Sequence, residues 1–380
     1  MNPFNFEFQI KTKIKFGRGM IQELSESIYL FNINKIMIVV DHGIIDAGIL
    51  SQITKVMDEE HINYFIFDKV KPDPTLAIVN EGLAFALENE IEGLIAVGGG
   101  SPIDTAKAIR TTFLSQKLNK GLKNKNLPLF TIPTTSGSGS EVTKAIVITD
   151  ENSKRKFTAM DESLAPDLTI VDPELTKSLP QYLTAIGGMD ALSHCIESYV
   201  SQNAVLPFEM IATKGIELVR KFLRPAVGNG SNMKAREGMS LASLFGGISL
   251  TNCGLGLVHA IAHPLGGKFK IPHGMVNTLL LPHVMKYNII SNPPKFAYIA
   301  ELLGISISEM TEMEAAYQSV EEIKKLIEDI GLSTTLSQLG VPRDSFDELV
   351  NLTMEEKLML NSNPRPVKKN DILKILKEAY

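Results

Sequence analysis

Cysteine, tryptophan and long apolar runs are scarce or missing in this sequence of 380 residues. It has two cysteines, Cys195 and Cys253, and no tryptophan. Two cysteines cannot form a disulfide framework in so long a chain, and without a CxxC spacing, packing is favoured over a role as thiol ligands. No apolar run reaches the length of a membrane span, and the N-terminus lacks the features of a signal peptide. These absences predict a cytoplasmic protein.

An excess of positive charge is also missing. The 38 lysines and arginines are outnumbered by 43 aspartates and glutamates, for a formal net charge of −5. This balance argues against binding to nucleic acids or to an anionic membrane surface. The dense basic segment between Lys117 and Lys125 is interpreted as a solvated loop. A content of 44% hydrophobic and 21% charged residues is typical of soluble globular proteins.

The first half of the chain alternates short β-branched segments with helix-like segments. The predicted strands are residues 35–41, 63–68, 93–99, 127–133, 145–150 and 168–172. This alternation predicts an α/β domain with a Rossmann-like, largely parallel sheet. The polar and apolar alternation of residues 4–17 predicts an edge hairpin in addition.

The second half has helical periodicity and almost no strand signal. Apolar residues recur at helical spacing in residues 207–223, 232–250 and 313–331. Pro180 interrupts the chain where the pattern changes. The sequence therefore predicts an α/β domain in residues 1–180 and an all-α domain in residues 181–380, although length alone would also allow three domains.

A glycine-rich turn follows the predicted strand of residues 93–99. In "GGGSPIDTAK" (98–107), Ser101 is the expected N-cap of a helix, with Pro102 at its first position and Asp104 three residues after the cap. Glycines let a ligand approach the backbone, and free N–H groups at a helix start attract phosphate. The spacing fits neither the GxGxxG nor the Walker motif, so a tight turn without a ligand remains the alternative.

A second loop and an acidic strand end add to this signal. "IPTTSGSGSEVT" (132–143) also follows a predicted strand and carries the hydroxyl groups of Thr134, Thr135, Ser136, Ser138 and Ser140. Loops at the carboxyl ends of parallel strands line ligand crevices, so the two loops predict a site for adjacent phosphates. Asp41 ends the strand of residues 35–41, where it can bind a ribose hydroxyl and favour NAD over NADP, or cap a helix.

An aspartate and a histidine lie four residues apart in "GMDALSHCIES" (188–198). Asp190 and His194 therefore share one helix face, where they could hold a metal ion together. Alternatively, the carboxylate only hydrogen-bonds the imidazole, and the two side chains satisfy each other without a further function.

Three of the seven histidines lie in residues 254–274. His259 and His263 share a helix face, and Pro272 leads the chain to His273. "HAIAH" is not the zinc-protease motif HExxH, because Ala260 replaces the glutamate. Three imidazoles and a carboxylate suit Fe²⁺ or Zn²⁺ better than Mg²⁺ or Ca²⁺. Four histidines compete for three places, and each could instead be an ordinary core residue.

Taken together, these segments resemble the iron-containing, or group III, alcohol dehydrogenases. The resemblance covers essentially the whole chain, because the motifs occur in the family's order and approximate spacing. They are "GGGSPIDTAK", "IPTTSGSGSEVT", "LTIVDPELT", "GMDALSHCIESY", "GLVHAIAHPLGG" and "PHGMVNTLLLPHV". The C-terminal segments "NPPKFAYIAELLG" and "NSNPRPVKKNDILKILKEAY" are most similar to the branch of 1,3-propanediol, lactaldehyde and simple-alcohol dehydrogenases. The resemblance implies an α/β domain followed by an all-α domain, as in the dehydroquinate synthase architecture.

The resemblance implies a function and a role for each candidate residue. The implied activity is hydride transfer between NAD(H) and a small primary alcohol, diol or aldehyde, assisted by one divalent metal, Fe²⁺ before Zn²⁺. The implied metal ligands are Asp190, His194, His259 and His273. The implied cofactor-binding residues are Asp41, Asp73, Gly99, Gly100, Ser101, Asp104, Thr134, Thr135, Ser138, Val147 and Lys156. His263 is implied to stand beside the metal and near the nicotinamide without being a ligand.

Several alternatives stay open at this point. Asp73 in "KPDPT" departs from the asparagine that relatives commonly carry, although a carboxylate can still accept ribose hydrogen bonds. His263 either passes the alcohol proton toward water or holds its neighbours through a hydrogen bond. The other functions are an NAD- and metal-dependent lyase of the dehydroquinate synthase type and a non-catalytic, oligomer-forming relative. A homodimer or higher homo-oligomer is expected from the resemblance alone.

Overall fold

The computed structural model describes residues 5–119, 126–151 and 155–380. Strands and α-helices alternate through most of the chain up to β5, and three further strands follow. Their order is β1 (Lys13–Phe16), α1 (Leu24–Leu30), β2 (Lys35–Asp41), α2 (His42–Asp46), α3 (Ile49–Glu59), β3 (Asn63–Val70), α4 (Leu76–Glu88), β4 (Gly93–Gly98), α5 (Gly100–Asn119), β5 (Leu129–Pro133), β6 (Ala145–Asp150), β7 (Arg155–Met160) and β8 (Leu168–Val171). The α-helices that follow are α6 (Gln181–Val200), α7 (Leu206–Gly228), α8 (Met233–Cys253), α9 (Leu257–Phe269), α10 (His273–Asn288), α11 (Pro293–Leu302), α12 (Glu312–Asp329), α13 (Phe346–Thr353), α14 (Lys357–Ser362) and α15 (Lys369–Glu378).

By contacts between residues the chain divides into two compact units. One consists of Gln9–Thr135 and Gly139–Leu179 and contains all the strands named above. The other consists of the described residues up to Phe8, of Ser136–Ser138 and of Pro180–Tyr380. The predicted α/β and helical classes are both present.

A six-stranded parallel sheet forms the centre of the first unit. Its strand order is β1-β8-β5-β4-β2-β3, and each neighbouring pair is parallel. The strand that follows β2 in the chain, β3, lies on one side of β2, whereas the next strand, β4, lies on its other side. The strand order therefore reverses between β2 and β4. In open α/β sheets such a reversal is where ligands bind, at the carboxyl ends of the strands.

The central strands β2, β4, β5 and β8 are buried on both faces because they are apolar at almost every position. In β2, Ile36, Ile38 and Val40 belong to a core with residues of α1 and α3, whereas Met37 and Val39 belong to a core with residues of α4 and α5. Successive side chains of a strand point to opposite faces, so a continuous apolar run requires helices on both sides.

The second unit is a set of helices with one large apolar core. Its most buried member is α6, in which all residues from Thr184 to Val200 except Gly187 are buried. A helix that is apolar around its whole circumference lies inside a protein rather than on its surface. Asp190 and His194 are consequently polar groups within the core, where the cost of burial requires that they have partners.

Two strand predictions need correction. The hairpin predicted for residues 4–17 is absent from the described part of that segment, residues 5–17, where β1 pairs in parallel with β8 and Lys13 lies opposite Leu168. Alternation within one segment predicts a strand but does not identify its partner. The strand of residues 145–150 is present, but it pairs antiparallel with β7 in a separate two-stranded sheet. Both errors concern which strands pair, and pairing depends on contacts between distant segments.

Two further expectations concern helices. Among the described helices, none taken alone combines the length and apolar character of a membrane span, whereas α8 and α9 together pass that test across a bend of 104°. Of the loop predicted between Lys117 and Lys125, the backbone of residues 117–119 is helical, and residues 120–125 lie outside the described parts of the chain.

Candidate functional site

Four side chains from three helices meet inside the helical unit. Asp190 and His194 are on α6, His259 is on α9, and His273 is the first residue of α10. Each offers one ligand atom, and the four atoms lie within 4.8 Å of one another. The Nε2 atoms of His194, His259 and His273 are 3.6, 3.9 and 3.8 Å from Asp190 Oδ1. Ligand atoms about 2.0–2.1 Å from a tetrahedral zinc ion are about 3.3 Å apart, so this spacing fits a metal with little contraction.

The amide of Asn277 lies among these ligand atoms. Its Nδ2 is 2.7 Å from Asp190 Oδ1, 3.0 Å from His259 Nε2 and 3.1 Å from His273 Nε2. One amide nitrogen has two N–H groups, so Asn277 alone cannot satisfy three acceptors. Within the described residues, Asn277 Oδ1 is itself buried without a hydrogen-bond partner. A centre so rich in lone pairs is chemically suited to a cation.

Two glycines allow the helices of this centre to approach closely. A Cβ on Gly274, next to His273, would lie 2.5 Å from the Ile186 carbonyl oxygen of α6. A Cβ on Gly246 of α8 would lie 3.2 Å from His194 Cβ. A side chain at Gly274 would push the start of α10 away from α6. The glycine in "PHG" therefore helps to keep His273 near Asp190.

Burial determines the electrostatics of the centre. It lowers the pKa of His259 well below the ordinary value, and the neighbouring His194 and His263 act in the same direction. Neutral imidazole is the form that binds a metal. His273 is the most accessible of the three histidines, with 35% of its side chain exposed. Its exposure leaves one side of the centre open to a small molecule.

Glu197 holds His259 from the side opposite the ligand atoms. Its Oε2 is 2.7 Å from His259 Nδ1, and both groups are buried. Burial raises the pKa of Glu197 to about 7, while N–H groups of Gly256 and Val258 act against this rise. If Nδ1 carries the proton, Nε2 is an acceptor, which agrees with the Asn277 contact on Nε2.

His263 lies beside the group of four without belonging to it. Its ring centroid is 5.8 Å from that of His273 and 6.5 Å from that of His259. Its Nδ1 is 3.8 Å from Glu356 Oε1, and the side chain is buried. It is thus near the candidate metal centre and also near the carboxylate of Glu356.

In the sheet unit, three candidate cofactor segments follow adjacent strands. Asp41 ends β2, Gly99 and Gly100 follow β4, and Thr134 and Thr135 follow β5. Because β5, β4 and β2 are neighbouring parallel strands, these segments share one edge of the sheet, beside the reversal of strand order. The N–H of Thr134 donates to the Gly98 carbonyl at 3.0 Å and joins two of the segments.

The turn after β4 is built on glycine and is hydrogen-bonded to Thr134. Gly98 has φ of 144°, which favours glycine, and a Cβ there would lie 2.7 Å from Pro102 Cγ. In the described residues, Thr134 Oγ1 is buried and has no hydrogen-bond partner. A glycine backbone at a helix start and a hydroxyl without a partner are both features that a phosphate group can use.

The expected N-cap of α5 is wrong. The helix begins at Gly100, and the N–H of Ile103 already donates to the Gly99 carbonyl at 3.5 Å. Ser101 is therefore inside the first turn. Glycine-rich segments can enter the helix earlier than a capping pattern predicts, because the turn needs no side chain to begin.

Asp104 faces the segment between β5 and β6. Its Oδ1 accepts the Ser140 hydroxyl at 2.5 Å, and its Oδ2 accepts the N–H of Val147 at 2.9 Å. Lys107 Nζ donates to the Thr143 carbonyl at 2.9 Å, to the Ala145 carbonyl at 3.0 Å and to the Ser140 hydroxyl at 3.2 Å. Burial raises the pKa of Asp104 and lowers that of Lys107 to about 8. These two side chains anchor the loop to α5.

Lys156 and Asp73 form an ion pair within the sheet unit. Lys156 Nζ donates to Asp73 Oδ1, and Lys156 is the more buried of the two. Asp73 has φ of 57°, a conformation that asparagine and aspartate tolerate better than other non-glycine residues. Ser138, the remaining candidate, is grouped by its contacts with the helical unit.

The sequence reasoning missed Glu197, Asn277 and Lys107. Each had a usable signal. Glu197 is three residues after His194 on α6, Asn277 is four residues after His273 on α10, and Lys107 is three residues after Asp104 on α5. Helical spacing of three or four therefore places each beside a candidate that was recognised.

The chain is similar to known dehydrogenases over nearly its whole length. Residues 11–173 match the family model described as iron-containing alcohol dehydrogenase, and residues 184–380 match the C-terminal model of the same family. The chain is 37% identical to the 1,3-propanediol dehydrogenase of Klebsiella pneumoniae over 383 residues, covering 99% of each chain. It is 35% identical to the NAD-dependent methanol dehydrogenase of Bacillus methanolicus over 370 residues, covering 96% of this chain and 97% of that protein. The solved alcohol dehydrogenase from Oenococcus oeni has a TM-score of 0.94 at 32% identity, covering 99% of this chain and 100% of that one.

Proposed function

The chain belongs to the iron-containing alcohol dehydrogenase family, and from this premise we propose that it transfers a hydride between C4 of NAD(H) and a small primary alcohol, diol or aldehyde. The observation that carries this proposal is the convergence of Asp190, His194, His259 and His273 on one point. Three imidazole nitrogens and one carboxylate oxygen suit a divalent cation that must also accept a substrate atom. These four are the proposed metal ligands.

We assign Fe²⁺ as the metal because the matched family is described as iron-containing, and Zn²⁺ is the alternative because the same ligands accept either ion. The metal supplies Lewis acidity at the substrate oxygen, and NAD(H) supplies the hydride acceptor or donor. Asp190 brings one negative charge to the centre, while the neutral imidazoles add donor atoms without further charge. The partial exposure of His273 marks the side from which a small substrate would enter.

The proposed cofactor site lies on the sheet unit, at the carboxyl ends of β2, β4 and β5. Gly99, Gly100 and Ser101 would offer backbone N–H groups at the start of α5 to the pyrophosphate. Thr134 and Thr135 would add hydroxyls, and Ser138 is the last proposed contact of that loop. Asp104 supports this site by holding Val147 and Ser140 rather than by meeting a phosphate directly.

We assign the adenosine end of the cofactor to an acidic side chain and the nicotinamide end to a basic one. Asp41 would bind the adenosine ribose hydroxyl and disfavour NADP. Lys156, paired with Asp73, would bind the nicotinamide ribose. We propose that His263 carries the proton of the alcohol. The carboxylate of Glu356 near His263 Nδ1 supports this role, because the proton can leave His263 from that position. A cytoplasmic location and a homodimer or higher homo-oligomer are further parts of this proposal.

One experiment tests the function. Purified protein is stripped of metal, reloaded anaerobically with Fe²⁺ or Zn²⁺, and mixed with NADH and a panel of short aldehydes, including 3-hydroxypropanal and lactaldehyde. We expect metal-dependent loss of NADH absorbance with stoichiometric formation of the alcohol. Metal-loaded protein that binds NADH but oxidises none of it with any aldehyde, and reduces no NAD⁺ with the matching alcohols, would refute the proposal.

A further inference from the structure

Glu197 makes three contacts that converge on the start of the helix carrying His259. The residue lies on α6, seven positions after Asp190, and is 4% exposed. Its Oε1 accepts the N–H of Val258 at 2.7 Å, and its Oε2 accepts the N–H of Gly256 at 3.0 Å. The same Oε2 is 2.7 Å from His259 Nδ1. Two of these contacts therefore hold the backbone at the start of α9, and the third holds the imidazole of His259.

The first turn of α9 depends on these contacts because it has no cap of its own. Its N-cap is Gly256, which has no side chain to accept the unpaired N–H groups of the helix start. A Cβ at that position would lie 2.9 Å from Glu197 Oε1 and 3.1 Å from Asn363 Oδ1. Asn363 Oδ1 accepts another of these N–H groups, that of Leu257, at 3.2 Å. Two distant side chains thus replace a local cap.

Glu197 and Asn363 both bind the start of α9, but only Glu197 also contacts a proposed metal ligand. The Asn363 side chain contacts the backbone of α9, and its other hydrogen bonds are with Asn288 and the Arg365 carbonyl, neither of them a candidate ligand. Glu197 contacts both the backbone and His259. A carboxylate on Nδ1 fixes the ring orientation and keeps the lone pair on Nε2, the atom that lies 3.9 Å from Asp190 Oδ1.

We propose that Glu197 is a positioning residue of the metal centre, which sets the tautomer and orientation of His259 and so increases metal retention. The inference rests on the proposed metal site but adds a residue to it. Because Glu197 shares α6 with Asp190 and His194, one rigid helix both supplies two ligands and orients a third. The spacing of residues 190, 194 and 197 puts all three on one helix face.

The test compares Glu197→Gln with Asn363→Ala as a matched control. Gln keeps the size of the side chain but has one acceptor oxygen instead of two, so it cannot serve Val258, Gly256 and His259 together. Asn363→Ala weakens the same helix start without touching His259. Each variant is loaded with Co²⁺, and the metal dissociation constant is measured by chelator competition, with the visible spectrum and NADH binding as further readouts.

We expect Glu197→Gln to bind Co²⁺ about 10–100-fold more weakly, with an altered spectrum and unchanged NADH binding. Asn363→Ala should lower Tm while changing the metal dissociation constant by less than about threefold, well below that range. Wild-type affinity and spectrum in Glu197→Gln would overturn the inference, as would equal losses of affinity in both variants. Wild-type protein that retains no metal would instead count against the proposed function.

A second measurement does not depend on the folding of a variant. In wild-type protein labelled with ¹⁵N-histidine and loaded with Zn²⁺, His259 should carry its proton on Nδ1 and bind the metal through Nε2. The resonance is identified by its disappearance in His259→Gln. A His259 that binds through Nδ1, or that has no proton on Nδ1, would overturn the role of Glu197.

Discussion

The carboxylate of Asp41 accepts the backbone N–H of Ile44, with 3.1 Å between Oδ1 and N, and caps α2 at the carboxyl end of β2. The helix cap considered from the sequence is therefore real. It does not exclude the second role, because Asp41 is also at the strand end where an acidic residue binds the adenosine ribose in NAD-dependent folds.

The two roles of Asp41 can be separated by charge. Asp41→Asn keeps a capping oxygen but removes the negative charge that disfavours a 2′-phosphate. We expect a near-wild-type Tm and a preference for NAD⁺ over NADP⁺, measured as the ratio of kcat/KM, that narrows about tenfold, or about 1.4 kcal/mol. Asp41→Gly should act similarly. An unchanged ratio in both variants would leave Asp41 as a helix cap alone.

Removal of a proposed ligand should remove the metal. In His259→Ala and His273→Ala, loss of one of four ligands leaves a weaker, three-point site, so metal content after dialysis should fall about tenfold or more, together with turnover. NADH binding, followed by fluorescence, should persist. The matched control is His61→Asn, because His61 is exposed and asparagine tolerates its φ of 55°. Turnover in metal-free His259→Ala would contradict the ligand assignment.

His263→Gln separates proton transfer from simple packing. Gln fills much of the same space but cannot carry a proton, so kcat should fall about 10²-fold or more while metal content stays at the wild-type level. Steady-state kinetics and metal analysis of one preparation check both parts. A fall below fivefold would assign His263 to positioning only.

The Lys156–Asp73 pair should affect cofactor affinity more than folding. Lys156→Met removes a charged donor, so KM for NADH should rise about tenfold. Asp73→Asn keeps an acceptor for Lys156 and suits the positive φ of this turn, so Tm should hold and KM should change much less. If Lys156→Met leaves KM for NADH unchanged, Lys156 does not contact the cofactor.

Glu141 should make stability depend on pH. It is 2% exposed, and burial raises its pKa from 4.5 to about 7, although Lys107 acts against the rise. Between pH 4.5 and about 7, Glu141 therefore keeps its proton in the folded state and loses it in the unfolded state. The stabilisation is thus complete below pH 4.5 and is lost as pH rises to about 7.

The Glu141→Gln variant isolates this effect because it cannot ionise. Relative to wild type, it should gain up to about 3 kcal/mol in unfolding free energy between the two ends of that window. Urea denaturation of both proteins across the window checks the sign. A difference between the two proteins that does not vary with pH would show that Glu141 has an ordinary pKa in the folded state.

Local patterns in the sequence were sufficient for the elements themselves. The apolar run of residues 36–40 is a buried strand because every position faces one of two helical layers. Asp190 and His194 lie together because helical geometry puts positions four apart on one face. The glycines after β4 allow the backbone to turn without a steric penalty, and their sequence made that visible. Each of these conclusions concerns neighbours along the chain.

Contacts between distant segments were decided only by the tertiary structure. The pairing of β6 with β7, the inward direction of Asp104, and the places of Asn277 and Glu197 around the histidines are examples. The four histidines competed for three places in the sequence, and packing of α6, α9 and α10 brings His194, His259 and His273 together with Asp190. Periodicity reports which face of an element is apolar, whereas the partner of that face is selected by three-dimensional packing.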